Sequence, residues 1–150
     1  MLSSKLTSIL LMTLGAANCS STQAAVSKQP INPPNAQRLA PYSTAVRSGN
    51  LVFFSGVIGS RPNNAGLPDG TEAQVQQSLE NLRTNLTTAG LTPADVIKCT
   101  VFLVDIADYA VMNRVYGQFF SQDPPARSAL AVAALPAGAR VEIECIAAAR

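Results

Sequence analysis

The run from Val96 to Val104 (VIKCTVFLV) is β-branched and apolar almost throughout. Such a stretch reads as a strand buried on both faces, which puts a sheet at the centre of the fold. Thr71 opens the clearest helix: Thr71 and Gln74 have capping-box spacing, Val75, Leu79, Leu82 and Leu86 recur at helical intervals, and Gly90 ends it. Thr92-Pro93 starts a short turn before the strand. Beyond the strand, Asp108 is placed to cap a second helix whose inner face carries Val111, Met112, Val115, Tyr116, Phe119 and Phe120, and Asp123-Pro124-Pro125 stops it. Tyr42 to Arg47 and Leu51 to Ser55 flank the turn Ser48-Gly49-Asn50 as a hairpin, and Gly56 to Gly70 reads as a loop. Ser128 to Ala134 and Arg140 to Ala147 read as strands joined by the turn Pro136-Ala137-Gly138. The order β-β-α-β-α-β-β describes an α+β unit, a mixed sheet with two helices against one face.

A chain of 150 residues is one domain's worth of core, and 47% hydrophobic against 13% charged residues describes a globular protein. A formal net charge of +2 argues against a nucleic-acid-binding surface, which needs a dense basic stripe. The chain has no histidine. That removes Ser-His-Asp and Cys-His catalysis, histidine metal sites and imidazole bases together, so any chemistry runs on carboxylates, Arg, Tyr, Ser, Thr, Cys or the backbone.

The N-terminus differs in composition from the rest. Lys5 precedes an apolar run from Leu6 to Ala17, and small residues follow, with cleavage expected near Ala24 or Ala25. The run is too short for a mature membrane anchor and suits a secretory signal peptide. Residues 1–25 are therefore expected to be a signal peptide, 26–40 an extended proline-containing lead-in and 41–150 the folded domain, exported and periplasmic. A second reading makes Cys19 a lipidated N-terminal cysteine and so a membrane anchor; a buried N-terminal helix ranks last. Cys99 and Cys145 remain after cleavage. Both lie in strand-like runs and read as core thiols; export permits a disulfide between them without demanding one, and two cysteines cannot complete a zinc site.

Three residues in the C-terminal third offer chemistry. Arg127 follows Pro124-Pro125-Ala126 where a loop enters a strand, and Glu142 and Glu144 project from one face of the last strand. An arginine at a strand mouth can grip a carboxylate with two parallel hydrogen bonds, and a glutamate in a partly dry cleft can be tuned for acid/base work. The plain alternative is a structural ion pair between Arg127 and a glutamate, which taken on these residues alone is the commoner outcome.

Short segments in order along the chain resemble the RidA/YjgF family. They are Ala40-Pro41-Tyr42-Ser43, Phe54-Ser55-Gly56, Ser78-Leu79-Glu80-Asn81-Leu82, Val101 to Asp105, Met112-Asn113-Arg114-Val115-Tyr116, Pro125-Ala126-Arg127-Ser128, and Leu135-Pro136 through Val141 to Ala147. The resemblance covers roughly Asn35 to the C-terminus. It implies a chorismate-mutase-like fold and a homotrimer with active sites between subunits. The implied activity is hydrolysis of enamines and imines such as 2-aminoacrylate to 2-keto acids and ammonia, with no cofactor or metal. Carried over by position, Arg127 would bind the substrate carboxylate and Glu142 would hold or activate water and return a proton to the leaving nitrogen. Tyr42 would line the pocket, Asn113 would support it from the second helix, and Ser55 and Gly56 would offer polar contacts. The plain alternatives are a core role for Tyr42 and, for Asn113, capping or cross-linking the helix.

The chain departs from the family pattern at Ala129, often Cys in relatives, and in a shorter loop from Ser121 to Pro124. Export would also separate it from the pyridoxal-phosphate enzymes that release such imines. Competing expectations are a small-carboxylate-binding trimer without turnover and a holdase-like chaperone; ribonuclease activity ranks last for a chain without histidine or a basic stripe.

Overall fold

The computed structural model describes residues 27–34 and 41–149. The expected signal segment, Cys19 and residues 35–40 of the lead-in lie outside the described residues. The strands are β1 (Lys28–Ile31), β2 (Ala45–Ser48), β3 (Leu51–Phe54), β4 (Val57–Ile58), β5 (Val96–Leu103), β6 (Ala126–Ala131) and β7 (Val141–Ala148), with helices α1 (Thr71–Thr88) and α2 (Tyr109–Phe119). They form one mixed sheet in the order β1-β2-β3-β7-β5-β6, with β4 pairing β7 beyond the end of β3. All pairs are antiparallel except β5 with β6, which α2 connects as a crossover. The expected α+β fold with two helices on one face is the fold observed.

The core lies between that face and the helices. Val75, Leu79, Leu82 and Leu86 of α1 and Met112, Val115 and Tyr116 of α2 cluster with Val101, Leu103, Val141, Ile143 and Cys145 of the sheet. At about 1.5–3 kcal/mol for each large aliphatic side chain taken out of water, this is the dominant stabilising contact. Phe119 is only partly buried. Cys99 and Cys145 face each other across β5 and β7 and form a disulfide beneath the helices.

Several local expectations are corrected. β5 is buried on one face only: Cys99, Val101 and Leu103 meet the helices, whereas Thr100 and Phe102 are half-buried on the other side and Ile97 is exposed. Both helices cover the same face, and among the described residues the opposite face has no cover. The lead-in contributes β1, an edge strand on β2 in which Pro30 is tolerated because its other side has no neighbour among the described residues. The expected loop after the hairpin begins with β4.

The Thr71–Gln74 capping box does not form. Gly70 occupies the N-cap; Thr71 Oγ1 donates to Asp108 Oδ2 at 2.7 Å, and Gln74 donates to the Pro68 carbonyl at 3.1 Å while accepting from the Arg140 amide at 2.8 Å. Nor does Asp108 cap α2 with its side chain: its carboxylate takes Arg140 Nη2 at 2.8 Å, so the two helix starts are tied together at the mouth of β7. A capping box stands instead at Thr92 and Asp95, before β5. Gly59 lets the chain after β4 run against α1, since a methyl there would lie 2.6 Å from the Gln74 carbonyl oxygen.

Candidate functional site

Strand register decides which candidates can meet. On the helix-facing side, Arg127 stands beside Cys99, which stands beside Cys145, and Ala129 beside Val101, which stands beside Ile143. On the open side, Leu130 stands beside Phe102 and Phe102 beside Glu142; Ser128, Thr100 and Glu144 form the next row. Side chains alternate along a strand, so Arg127 and Glu142 lie on opposite faces of the same sheet. The expected residues divide into two groups, and one chain does not bring them together.

The first group surrounds a cavity of about 430 Å³ lined by Tyr42, Ser55, Gly56, Ile58, Pro136, Glu142 and Glu144. It arises where the strand edge along β7 is interrupted: β3 ends at Phe54, β4 begins at Val57, and Ser55-Gly56 step around the Glu142 side chain. A methyl at Gly56 would overlap the Glu142 carboxylate, so a side chain there would have to displace that carboxylate from its place in the cavity. Burial pushes the Glu142 carboxyl above its usual range, and the neighbouring charge of Glu144 pushes it further. Ser55 donates its hydroxyl to the Ser43 carbonyl at 2.7 Å and its amide to the Thr44 carbonyl at 3.1 Å. Its oxygen can therefore face the cavity as an acceptor. Tyr42 is 65% exposed, which removes the core alternative for it.

The second group is a clamp built by α2 around Arg127. Nη2 donates to Asn113 Oδ1 at 2.6 Å and to Tyr109 Oη at 3.1 Å, Nη1 points at Met112 Sδ at 3.9 Å, and the guanidinium lies 4.6 Å from the Tyr116 ring centroid. Tyr109, Met112, Asn113 and Tyr116 occupy one helix face at i, i+3, i+4 and i+7, which is why a single helix can hold the group from several sides. Tyr116 is buried and its hydroxyl has no hydrogen-bond partner among the described residues; burial raises its pKa to about 12, against a partial offset from the Arg127 charge. No ion pair joins Arg127 to Glu142 or Glu144 among the described residues, so the plain ion-pair alternative does not hold. Asn113 is no helix cap, but its bond to Arg127 does cross-link α2 to β6. Ala129 sits with Arg127 on the helix side, partly buried against the core and away from the Glu142 cavity.

The sequence reading missed Tyr109, Ile58 and Pro136. The first could have been found from its helical spacing to Asn113; the other two enter only through the pairing of β4 and β7 and the turn before β7.

Known proteins resemble the chain over most of its length. The family model described as endoribonuclease L-PSP matches residues 33–149. Reactive Intermediate Deaminase A, chloroplastic, of Arabidopsis thaliana is 39% identical over 133 residues, 87% of this chain and 71% of that protein. The 2-iminobutanoate/2-iminopropanoate deaminase of Bos taurus is 44% identical over 110 residues, 73% of this chain and 80% of its own length. The crystal structure of Escherichia coli TdcF with bound serine superposes with a TM-score of 0.75 at 39% identity, covering 82% of this chain and 100% of that one. With a family model spanning nearly all the described residues, and relatives this similar in sequence and fold, the chain belongs to the RidA/YjgF family.

Proposed function

We propose that the protein is an enamine/imine deaminase that hydrolyses 2-aminoacrylate-type imines to 2-keto acids and ammonia, at sites completed between copies of a homotrimer. The observation that carries this is the Glu142 cavity: a carboxyl of raised proton affinity, held against Gly56 beside Tyr42 and Ser55, in a space suited to a small acid. The relatives named as imine deaminases support the reaction, and serine in TdcF supports a ligand of amino-acid size. A net charge of +2 and the absence of histidine favour this small-molecule chemistry over cleavage of RNA.

Arg127 orients the substrate by its carboxylate. Glu142 accepts a proton as water oxygen bonds to the imine carbon and the C=N electron pair moves onto nitrogen. The proton is then returned to nitrogen to give the amino alcohol; its hydroxyl proton passes by way of Glu142 to the same nitrogen, and the C–N bond breaks as the keto C=O forms, releasing ammonia.

Assembly is the natural way to bring the two groups together, because Arg127 and Glu142 of one chain are divided by their own sheet. The open face supports it: Phe53 and Leu130 are each more than 40% exposed there, beside half-buried Phe102 and Ile146. In the test, keto-acid formation is followed from an imine generated by an amino-acid oxidase, for wild type, Arg127→Ala and Glu142→Gln. Each variant loses about 10²-fold or more in rate. Unfolded and refolded together, the two inactive variants recover about a quarter of wild-type activity, because random trimers pair an intact arginine with an intact glutamate at that fraction of interfaces. A folded wild type that accelerates nothing would leave the carboxylate-binding or holdase-like reading.

We propose further that residues 1–25 direct export, with lipidation at Cys19 as the second choice. The buried Cys99–Cys145 disulfide supports an oxidising destination. N-terminal sequencing of protein from fractionated cells tests this: an intact Met1 in the cytosolic fraction overturns it.

A further inference from the structure

Arg127 is already occupied in a way that bears on how it can take a carboxylate. A guanidinium carries five N–H groups, and a carboxylate held by two parallel bonds uses either the Nη1/Nη2 edge or the Nε/Nη2 edge. Both edges need one hydrogen of Nη2. Nη2 already donates to two acceptors, Asn113 Oδ1 at 2.6 Å and Tyr109 Oη at 3.1 Å, as many as it has hydrogens. Fork-like binding therefore requires one of these two groups to withdraw.

The two are not equivalent. Asn113 makes the shorter bond, to a full amide carbonyl oxygen. Tyr109 makes the longer one and is 42% exposed, at the first turn of α2. A phenol oxygen that accepts from Arg127 keeps its own proton, and that proton has no acceptor among the described residues. A side chain so placed can reverse its role by a small rotation, from acceptor for the guanidinium to donor for an anion bound to it.

We propose that Tyr109 is a substrate-recognition residue. Its hydroxyl holds Nη2 while the site is empty, yields that hydrogen to an incoming carboxylate, and then donates its own hydrogen to the same carboxylate. The carboxylate thus receives two hydrogen bonds from Arg127 and a third from Tyr109, while Asn113 keeps the guanidinium in plane. No proton is transferred and no bond is made or broken, so the residue acts on binding and not on the chemical step. This rests on the reading of Arg127 as the carboxylate ligand.

The test pairs Tyr109→Phe with Arg127→Ala and uses pyruvate, a small 2-keto acid, as the probe. Calorimetric titration gives its affinity, and oxidase-coupled hydrolysis gives kcat and KM. Removing one hydrogen bond to a charged group should weaken pyruvate binding in Tyr109→Phe by about tenfold to a hundredfold. KM should rise by a similar factor, with kcat and Tm close to wild type. A purely structural role for the phenol would not divide the effects in that way. Unchanged or tighter pyruvate binding in Tyr109→Phe, with binding still abolished in Arg127→Ala, overturns the assignment of Tyr109 and leaves Arg127 as the ligand. A fall in kcat at constant KM overturns it as well. Failure of wild type to bind pyruvate, with Arg127→Ala indistinguishable from it, removes both.

Discussion

A carboxylate that takes a proton from water near neutrality benefits from an affinity above that of a free glutamate, and the surroundings of Glu142 supply it. Burial comes first and the like charge of Glu144 second, and both act in the same direction. A base works only when deprotonated, so the acid limb of kcat/KM against pH should lie above the ordinary glutamate value of 4.5. Glu144→Gln removes the like charge, so it should move that limb to lower pH while the plateau stays near wild type. A pH profile of both proteins checks this, and an unmoved limb would mean that the titrating group is not Glu142. At this scale the sequence was informative about residue type. Arg127, Asn113 and the Glu142–Glu144 pair could be singled out from motif and alternation. What it did not show was the Gly56 contact, because the carboxylate that a side chain there would displace belongs to a residue 86 positions away.

Helix ends are where local rules and tertiary demands diverge in this protein. Thr71 and Gln74 have the spacing to cap α1, and Asp108 stands where it could cap α2, yet all three turn to one another's elements and to Arg140. A charged guanidinium at the mouth of β7 offers Asp108 a stronger hydrogen bond than an exposed backbone amide does. Burial by itself would raise the Asp108 pKa, but the hydrogen bonds from Thr71 and Arg140 and the charge of Arg140 outweigh it and hold the carboxyl below its usual 3.8. With the folded value depressed, the group contributes stability that is present above 3.8 and is lost as pH falls through the lower folded value. Asp108→Asn should therefore cost about 1–2 kcal/mol at neutral pH. The difference should close on acidification, as followed by thermal melts of both proteins across pH. A gap that persists below the folded pKa would make the cost one of packing. The same divergence explains why β1 and β4 escaped a reading from pattern. One contains a proline and the other has only two residues, and each is a strand only because β2 or β7 lies alongside.

For the molecule as a whole, the open face of the sheet is the unresolved demand of the single chain. Leu130, Phe102 and Glu142 stand side by side there, so the surface that would meet another copy also borders the cavity. Leu130→Asp sets a second charge in that row and should give a monomer in sedimentation with little or no imine hydrolysis, although Arg127 and Glu142 are intact. Because Leu130 is 42% exposed in one chain, fold stability should change by no more than about 0.5 kcal/mol. A trimer of normal activity from this variant would place the interface elsewhere. The helices, the central strand, their order and the family were all legible in the sequence, because helical periodicity, β-branched runs and short motifs are properties of neighbouring residues. Only the tertiary structure decided that Arg127 lies with Cys99 and Cys145 beneath α2 while Glu142 lies with Phe102 on the far side. The face a residue takes depends on the register between strands far apart in the chain. That register is set by which rows of side chains bury best against the helices, and no local stretch of sequence contains it.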